Sequence, residues 1–351
     1  MGSGYGIFFC QTGNPLSARH VVFSGGKTLL FIKQNPKLSI SKLSWENKAN
    51  NYDPCGKAKN MMKITNQIAE LRAQISEWRN NKQCIALVPT MGNLHDGHLT
   101  LVKQALAIAD RVVVSIFVNP LQFGATEDYH TYPRTLAEDS EKLAQLGVQL
   151  LFNPAVTTIY PAGIEATTSV QVPKLSEILC GASRPVFFKG VATVVNILFN
   201  LVQPDKAVFG EKDYQQLLII KRLVTDLFIP IEIVSVPTMR EADGLAMSSR
   251  NHYLNPAQRA IAPHLFQILN DMKAKIAAGQ QEFALLESEA IANLKQAGFK
   301  PDYVSVRCRH DLTLPIPKDN NLIILAAAWL GPARLIDNIF VTGQEKNYNN
   351  S

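Results

Sequence analysis

The sequence predicts an α/β protein: a doubly wound parallel sheet followed by a smaller α+β region. Short apolar runs of strand length alternate with segments of helical apolar spacing from about residue 62. The connections between them are short, as right-handed crossovers in a parallel sheet require. Past Pro237 the alternation stops, and two helical segments are followed by strand-like runs with no helix between them.

Taken in order, Ile64, Ile68, Leu71, Ile75 and Trp78 recur at helical spacing and predict a helix over 64–78. The run 84–89 ends in Pro89 and reads as a buried parallel strand. A helix over 99–109 and a strand over 111–118 (RVVVSIFV) come next, then a helix over 135–146 and a strand over 148–152. The pattern repeats as helix 191–202, strand 206–209, helix 214–228 and strand 231–236. Together these place a Rossmann-like domain at 62–237. Helices over 257–278 and 283–297, with strands over 301–306, 322–328 and 333–340, place a second domain at 238–345, and 347–351 reads as a frayed tail.

The chain of 351 residues carries 35 Lys+Arg against 29 Asp+Glu, and 46% of it is hydrophobic, which excludes a disordered or fibrous class. Its formal charge of +6 is unevenly placed. Residues 1–60 hold eight bases and two acids, leaving 27 of each sign in the remainder. The main body is therefore neutral, which argues against a nucleic-acid partner. The basic segment 1–60 has neither a signal-peptide pattern nor clean helical periodicity, and reads as an extension, disordered or foreign to the fold, with Met61 or Met62 as an alternative start. Five scattered cysteines (Cys10, Cys55, Cys84, Cys180, Cys308) suit reduced thiols in the cytoplasm rather than disulfides or a zinc site. No apolar run reaches the roughly 20 residues needed to span a bilayer, so no membrane partner is expected.

Chemistry concentrates at strand ends. In VPTMGNLHDGHL, residues 88–99, a strand ends at Pro89, Met91 and Gly92 turn the chain, and His95, Asp96, Gly97 and His98 open a helix. Helix N-termini at the carboxyl ends of parallel strands bind anions, and His95 and His98 share one side of the first turn. The bland alternative is a pair of capping histidines without a ligand. FGEKDYQQL, residues 209–217, repeats the strand-to-helix setting, with Lys212 suited to phosphate and Asp213 to ribose hydroxyls. Gln215 and Gln216 diverge by ~100° around the helix, so one of them can face a cleft. GLAMSSRNHYL, residues 244–254, is a donor-rich loop that could hold a leaving phosphate or simply cap a helix. Asn119 and Gln122 in FVNPLQF can hydrogen-bond a polyol or carboxylate. Beyond YPRT, which starts at Tyr132, Glu138 and Asp139 form either a metal-facing or a solvated pair. There is no Walker-type glycine-lysine loop, Ser-His-Asp elbow or cysteine nucleophile. The donors present suit a nucleoside triphosphate and nucleotidyl transfer.

VPTMGNLHDGH, SIFVNPLQF, YPRT, FGEKDYQQL, LAMSSRN and ARLIDNI, in this order over 62–342, resemble the motif set of the pantothenate synthetase family. That family belongs to the HIGH-type nucleotidyl transferases, with HDGH as the HIGH element and MSSR as the KMSKS-like loop. The resemblance implies condensation of pantoate with β-alanine through a pantoyl adenylate, with Mg2+-ATP as co-substrate. It implies nucleotide contacts from Met91, Gly92, Asn93, Leu94, His95, Asp96, Gly97 and His98. Gly210, Glu211, Lys212, Asp213 and Met239 join them, and Met247, Ser248, Ser249 and Arg250 close over the triphosphate. His98 is the implied acid, with His95, Lys212, Ser248, Ser249 and Arg250 the other catalytic candidates. Gln122 would hold pantoate and β-alanine, Gln216 pantoate, with Asn119 and Tyr132 as further substrate contacts and Asp139 as a metal ligand. A homodimer is also implied. The competing reading is another HIGH-type transferase with a different acceptor.

Overall fold

The computed structural model describes residues 21–24, 27–30, 61–124, 127–316 and 319–342. The chain divides into two units, Met1–Lys59 and Asn60–Ser351. In the first, β1 (Val21–Ser24) and β2 (Lys27–Leu30) pair as an antiparallel hairpin. The remainder of the basic extension expected over 1–60 lies outside the described residues, as do Cys10, Cys55 and the tail 347–351.

In the second unit, β3 (Lys63–Thr65), β4 (Ile85–Thr90), β5 (Arg111–Ile116), β6 (Leu150–Phe152), β7 (Lys206–Gly210) and β8 (Glu232–Val236) form one sheet in the order β3-β6-β5-β4-β7-β8. Every adjacent pair is parallel. Residue parity sorts each strand between two cores. Ile85, Leu87, Val113, Leu150, Phe152, Ala207 and Phe209 face α1 (Ile68–Asn80), α6 (Phe187–Val202) and α7 (Tyr214–Asp226). Ala86, Val88, Val112, Val114, Leu151 and Val208 face α2 (Asp96–Ile108) and α3 (Leu136–Leu146) on the other side. Burial on both faces is why these strands read as continuous apolar runs. Short helices α4 (Val156–Ile159) and α5 (Cys180–Ser183) punctuate the segment before α6.

After β8, α8 (Pro256–Ile261), α9 (His264–Ala277) and α10 (Phe283–Gln296) precede β9 (Lys300–Cys308), β10 (Asn321–Leu330) and β11 (Ala333–Thr342). These strands form an antiparallel sheet in the order β11-β10-β9. One face of β10 (Leu322, Ile324, Ala326, Ala328) packs with α9 and α10 in a third core. Its other face (Ile323, Leu325) enters the core under α1, α6 and α7. The change of architecture after 237 thus falls inside one compact unit.

Two local expectations are corrected. Ile64 belongs to β3, paired parallel with β6, and the first helix begins only at Ile68. A three-residue strand is too short to reveal its own period, and Ile64 happens to fall in phase with the helix. The helix expected over 257–278 is broken between α8 and α9 at Ala262-Pro263, because proline lacks the N–H and clashes with the preceding turn. Among the described residues no helix is long and apolar enough to cross a membrane, and Cys84, Cys180 and Cys308 are free thiols.

Candidate active site

Chain order runs outward from β4 through β5 to β6, then returns to β7 on the other side of β4. The crevice between the carboxyl ends of β4 and β7 is therefore the switch point where doubly wound sheets bind ligands. A cavity of about 580 Å3 lies there, lined from both strand-end loops.

The loop after β4 is built on two glycines. Gly92 has φ +83°, and a side chain there would meet Ile116 Cγ2 at 3.0 Å and Asp139 Oδ2 at 3.2 Å. At Gly97 a Cβ would lie 2.9 Å from His95 Cε1, so glycine lets that ring fold over the helix start. His95 is the N-cap of α2, and its Nδ1 accepts the N–H of Gly97 at 3.2 Å. His98 Nδ1 accepts the N–H of His95 at 3.4 Å. The two rings are 4.1 Å apart and both line the cavity, so they are caps and cleft residues at once. With each Nδ1 accepting, the ring proton of the neutral form sits on Nε2, leaving an N–H donor for a ligand. Burial, then Lys212, lowers the His95 pKa to about 4. Burial, then His95 and Lys212, lowers that of His98 to about 3. At neutral pH this lowering leaves His98 uncharged, with Nε2–H as its donor.

Asp139 is engaged by two backbone amides and one hydroxyl. Fully buried, its Oδ2 accepts from Asn93 N at 2.8 Å and Thr135 Oγ1 at 3.1 Å, and its Oδ1 from Leu94 N at 2.8 Å. It is the clamp of the β4 loop, helped by Lys142 Nζ donating to Leu94 O at 2.7 Å. Glu138 is exposed. Among the described residues no group of three or more His, Cys, Asp or Glu is placed to hold a metal.

Asn119 is likewise engaged within the fold. It is wholly buried, its Nδ2 donating to Gln122 Oε1 and Gly190 O at 3.1 Å and its Oδ1 accepting from Tyr160 at 2.7 Å. Its role is to orient Gln122, whose amide nitrogen then remains for the cleft. Of the paired glutamines, Gln215 is consumed internally: Nε2 donates to Leu175 O and Ile178 O, and Oε1 accepts from Cys180 N. Both line the cavity, but Gln215 is buried with its amide engaged, whereas Gln216 is only half-buried.

Beyond β7, Gly210, Lys212 and Asp213 line the cleft, with Lys212 Nζ 4.0 Å from Asp213 Oδ2. Glu211 turns away and accepts from Ser235 Oγ at 3.1 Å. Asn338 of β11 donates to the carbonyls of Glu211 and Lys212, each at 2.9 Å. Met239, Met247, Ser248, Ser249 and Arg250 close the third side. Met247 N donates to Met239 O at 3.0 Å, and Ser249 Oγ to Asn93 O at 3.3 Å. Tyr132 lines the same space, its hydroxyl pKa raised by burial, with a hydrogen-bonding contact to Ser249 acting the other way. Met91 reaches the cavity, whereas Leu94 is in the core and Asp96 is exposed at the helix start. Sequence reasoning missed Arg184, Asp128 and Asn338. Asn338 stands within ARLIDNI, where nothing local marks its role; Arg184 and Asp128 carry no periodic or motif signal.

A switch-point cleft with helix-capping histidines, a lysine and a Ser-Ser-Arg turn defines a nucleotide-binding transferase or ligase of the α/β class. The Pantoate-beta-alanine ligase family matches residues 63–340, and the chain belongs to that family. It is 55% identical over 285 residues to the pantothenate synthetase of Pseudomonas putida, covering 81% of this chain and 99% of that one. To that of Shewanella baltica it is 55% identical over 272 residues, covering 78% and 96%. The pantothenate synthetase structure from Thermus thermophilus superposes with a TM-score of 0.75 at 45% identity, covering 80% of this chain and 100% of that one. The Francisella tularensis pantoate-beta-alanine ligase, complexed with beta-gamma ATP and beta-alanine, gives 0.67 at 37% identity, covering 80% and 97%.

Proposed function

We propose that the chain joins pantoate to β-alanine through a pantoyl adenylate, with Mg2+-ATP as co-substrate. A carboxylate oxygen of pantoate attacks the α-phosphorus and the bond to pyrophosphate breaks. The amine nitrogen of β-alanine then attacks the acyl carbon, AMP leaves, and the nitrogen gives up its proton as the amide forms. His95 and His98 donate Nε2–H to phosphate oxygens, Lys212 neutralises the α-phosphate, and Ser248, Ser249 and Arg250 hold the departing pyrophosphate. Gln122 and Gln216 hold pantoate, with Gln122 and Tyr132 beside the incoming β-alanine. The backbone at 91–94 and at Met239 faces the nucleotide, and the region after 237 acts as the lid that keeps water from the adenylate.

The single observation that carries this reading is that all three donor-rich loops and both glutamines line one cavity. The Francisella relative, complexed with beta-gamma ATP and beta-alanine, supports it. AMP release measured with ATP, pantoate and β-alanine, singly and together, is the test. Release should require both acids, and release without pantoate overturns the reading. A homodimer in the cytoplasm completes the proposal; a sedimentation mass of one chain at working concentration would remove the dimer.

A further inference from the structure

The Ser249–Tyr253 turn carries Arg250 and Tyr253, and both end on one carboxylate that belongs to none of the sequence motifs. Arg250 Nη2 donates to Asp128 Oδ1 at 3.1 Å, and the Tyr253 hydroxyl donates to Asp128 Oδ2 at 3.1 Å. The ion pair is largely shielded, with side-chain exposures of 27% for Arg250 and 22% for Asp128. Its neighbour Glu127 is engaged separately, in a two-pronged pair with Arg184 at 2.5 and 2.6 Å. Asp128 is therefore left to serve the turn alone. Both Asp128 and Arg250 line the cavity.

We propose that Asp128 is the positioning residue of the nucleotide loop. It pins the Ser249–Tyr253 turn over the cleft and aims the remaining donors of Arg250 at the triphosphate before ATP arrives. An arginine held through one Nη keeps Nε and Nη1 for a ligand, and the rotamer freedom it would lose on binding is already spent. Tyr253 makes the anchor a property of the turn, and Ser249 Oγ on Asn93 O supplies a second pin against the β4 loop. The inference rests on the reading of Arg250 as a triphosphate ligand.

Charge alone and positioning predict opposite results. Removing an acid from beside a triphosphate site should tighten ATP by electrostatics; removing the anchor should loosen it. The measurement is calorimetric binding of ATP to the full chain and to Asp128→Ala, Arg250→Ala and the double variant. The proposal expects Asp128→Ala to weaken ATP about tenfold, pantoate KM to stay unchanged, and Asp128→Glu to recover part of the loss. In the Arg250→Ala background the further loss should be under about twofold, because the pair acts as a unit. Tyr253→Phe, which removes one hydroxyl, should shift ATP affinity in the same direction by less. Unchanged or tighter ATP binding by Asp128→Ala overturns the proposal, as does an equal loss in both backgrounds. Normal ATP binding by Arg250→Ala overturns the placement of Arg250 itself, and the proposal with it.

Discussion

The two loops that meet between β4 and β7 share a geometry but are fastened from opposite directions. The loop after β4 is held by its own layer, through Asp139 and Lys142 of α3. The loop after β7 is held by Asn338 of β11, a strand of the antiparallel sheet. The first therefore takes shape with the parallel sheet, whereas the second is complete only once the C-terminal strands have docked. Half of the proposed nucleotide site is intrinsic to the doubly wound fold, and the half carrying Lys212 depends on the antiparallel sheet at the far end of the chain.

The hardest blow to that comparison removes chemistry rather than support. His98→Ala should lower adenylate formation by roughly 10²–10³-fold, the cost of one donor aimed at developing charge, with unchanged circular dichroism; near-normal turnover would strike His98 from the mechanism. Next comes the clamp. Asp139→Ala strands the amides of Asn93 and Leu94 and should cost about 3 kcal/mol in urea unfolding, and a loss below about 1 kcal/mol would show that the β4 loop does not depend on it. Asn338→Ala should cost about 1–2 kcal/mol and accelerate amide exchange at 211–214 while leaving 91–95 protected. Equal acceleration in both loops would erase the distinction between them.

A smaller effect separates the adjacent glutamines: Gln216→Ala should raise the pantoate KM about tenfold, ~1.4 kcal/mol, with stability intact, whereas Gln215→Ala should lower the melting temperature. The reverse pattern would exchange their roles. The gentlest test is pH. His95 and His98 titrate near 4 and 3 when folded, against 6.5 unfolded, so below 6.5 the unfolded chain binds more protons. Stability should be flat above that pH and fall progressively toward 3. The fall should lessen in His95→Gln, and an identical profile in that variant would refute the assignment.

How much was legible in advance varies with the reach of the interactions. The β4 loop was readable because its geometry is local: a strand end, two glycines and two capping histidines lie within eleven residues, 88–98. The Ser-Ser-Arg turn, Lys212 and Gln122 were readable for the same reason, and the choice of Gln216 over Gln215 entered through the family resemblance. The surroundings of Asn119 and Asp139 were not legible because their partners are distant. Asn119 is satisfied by Gly190 and Tyr160, and Asp139 by amides 45 and 46 residues away. The boundary at 237 marked a real change of pattern, yet Ile323 and Leu325 of β10 tie the later region into the earlier core.

By itself the sequence determined the order of the main strands and helices, β3 and the α8–α9 break excepted, the neutrality of the body, and the donor types available for a nucleotide. Hydrophobic period, glycine geometry and helix capping act over a few residues and leave their mark in them. Only the tertiary structure decided which look-alike polar residue faces the cleft and which is used up inside the protein. A buried amide or carboxylate goes to whichever partner the fold brings within about 3 Å, and that partner can be 127 positions away, as Glu211 is from Asn338.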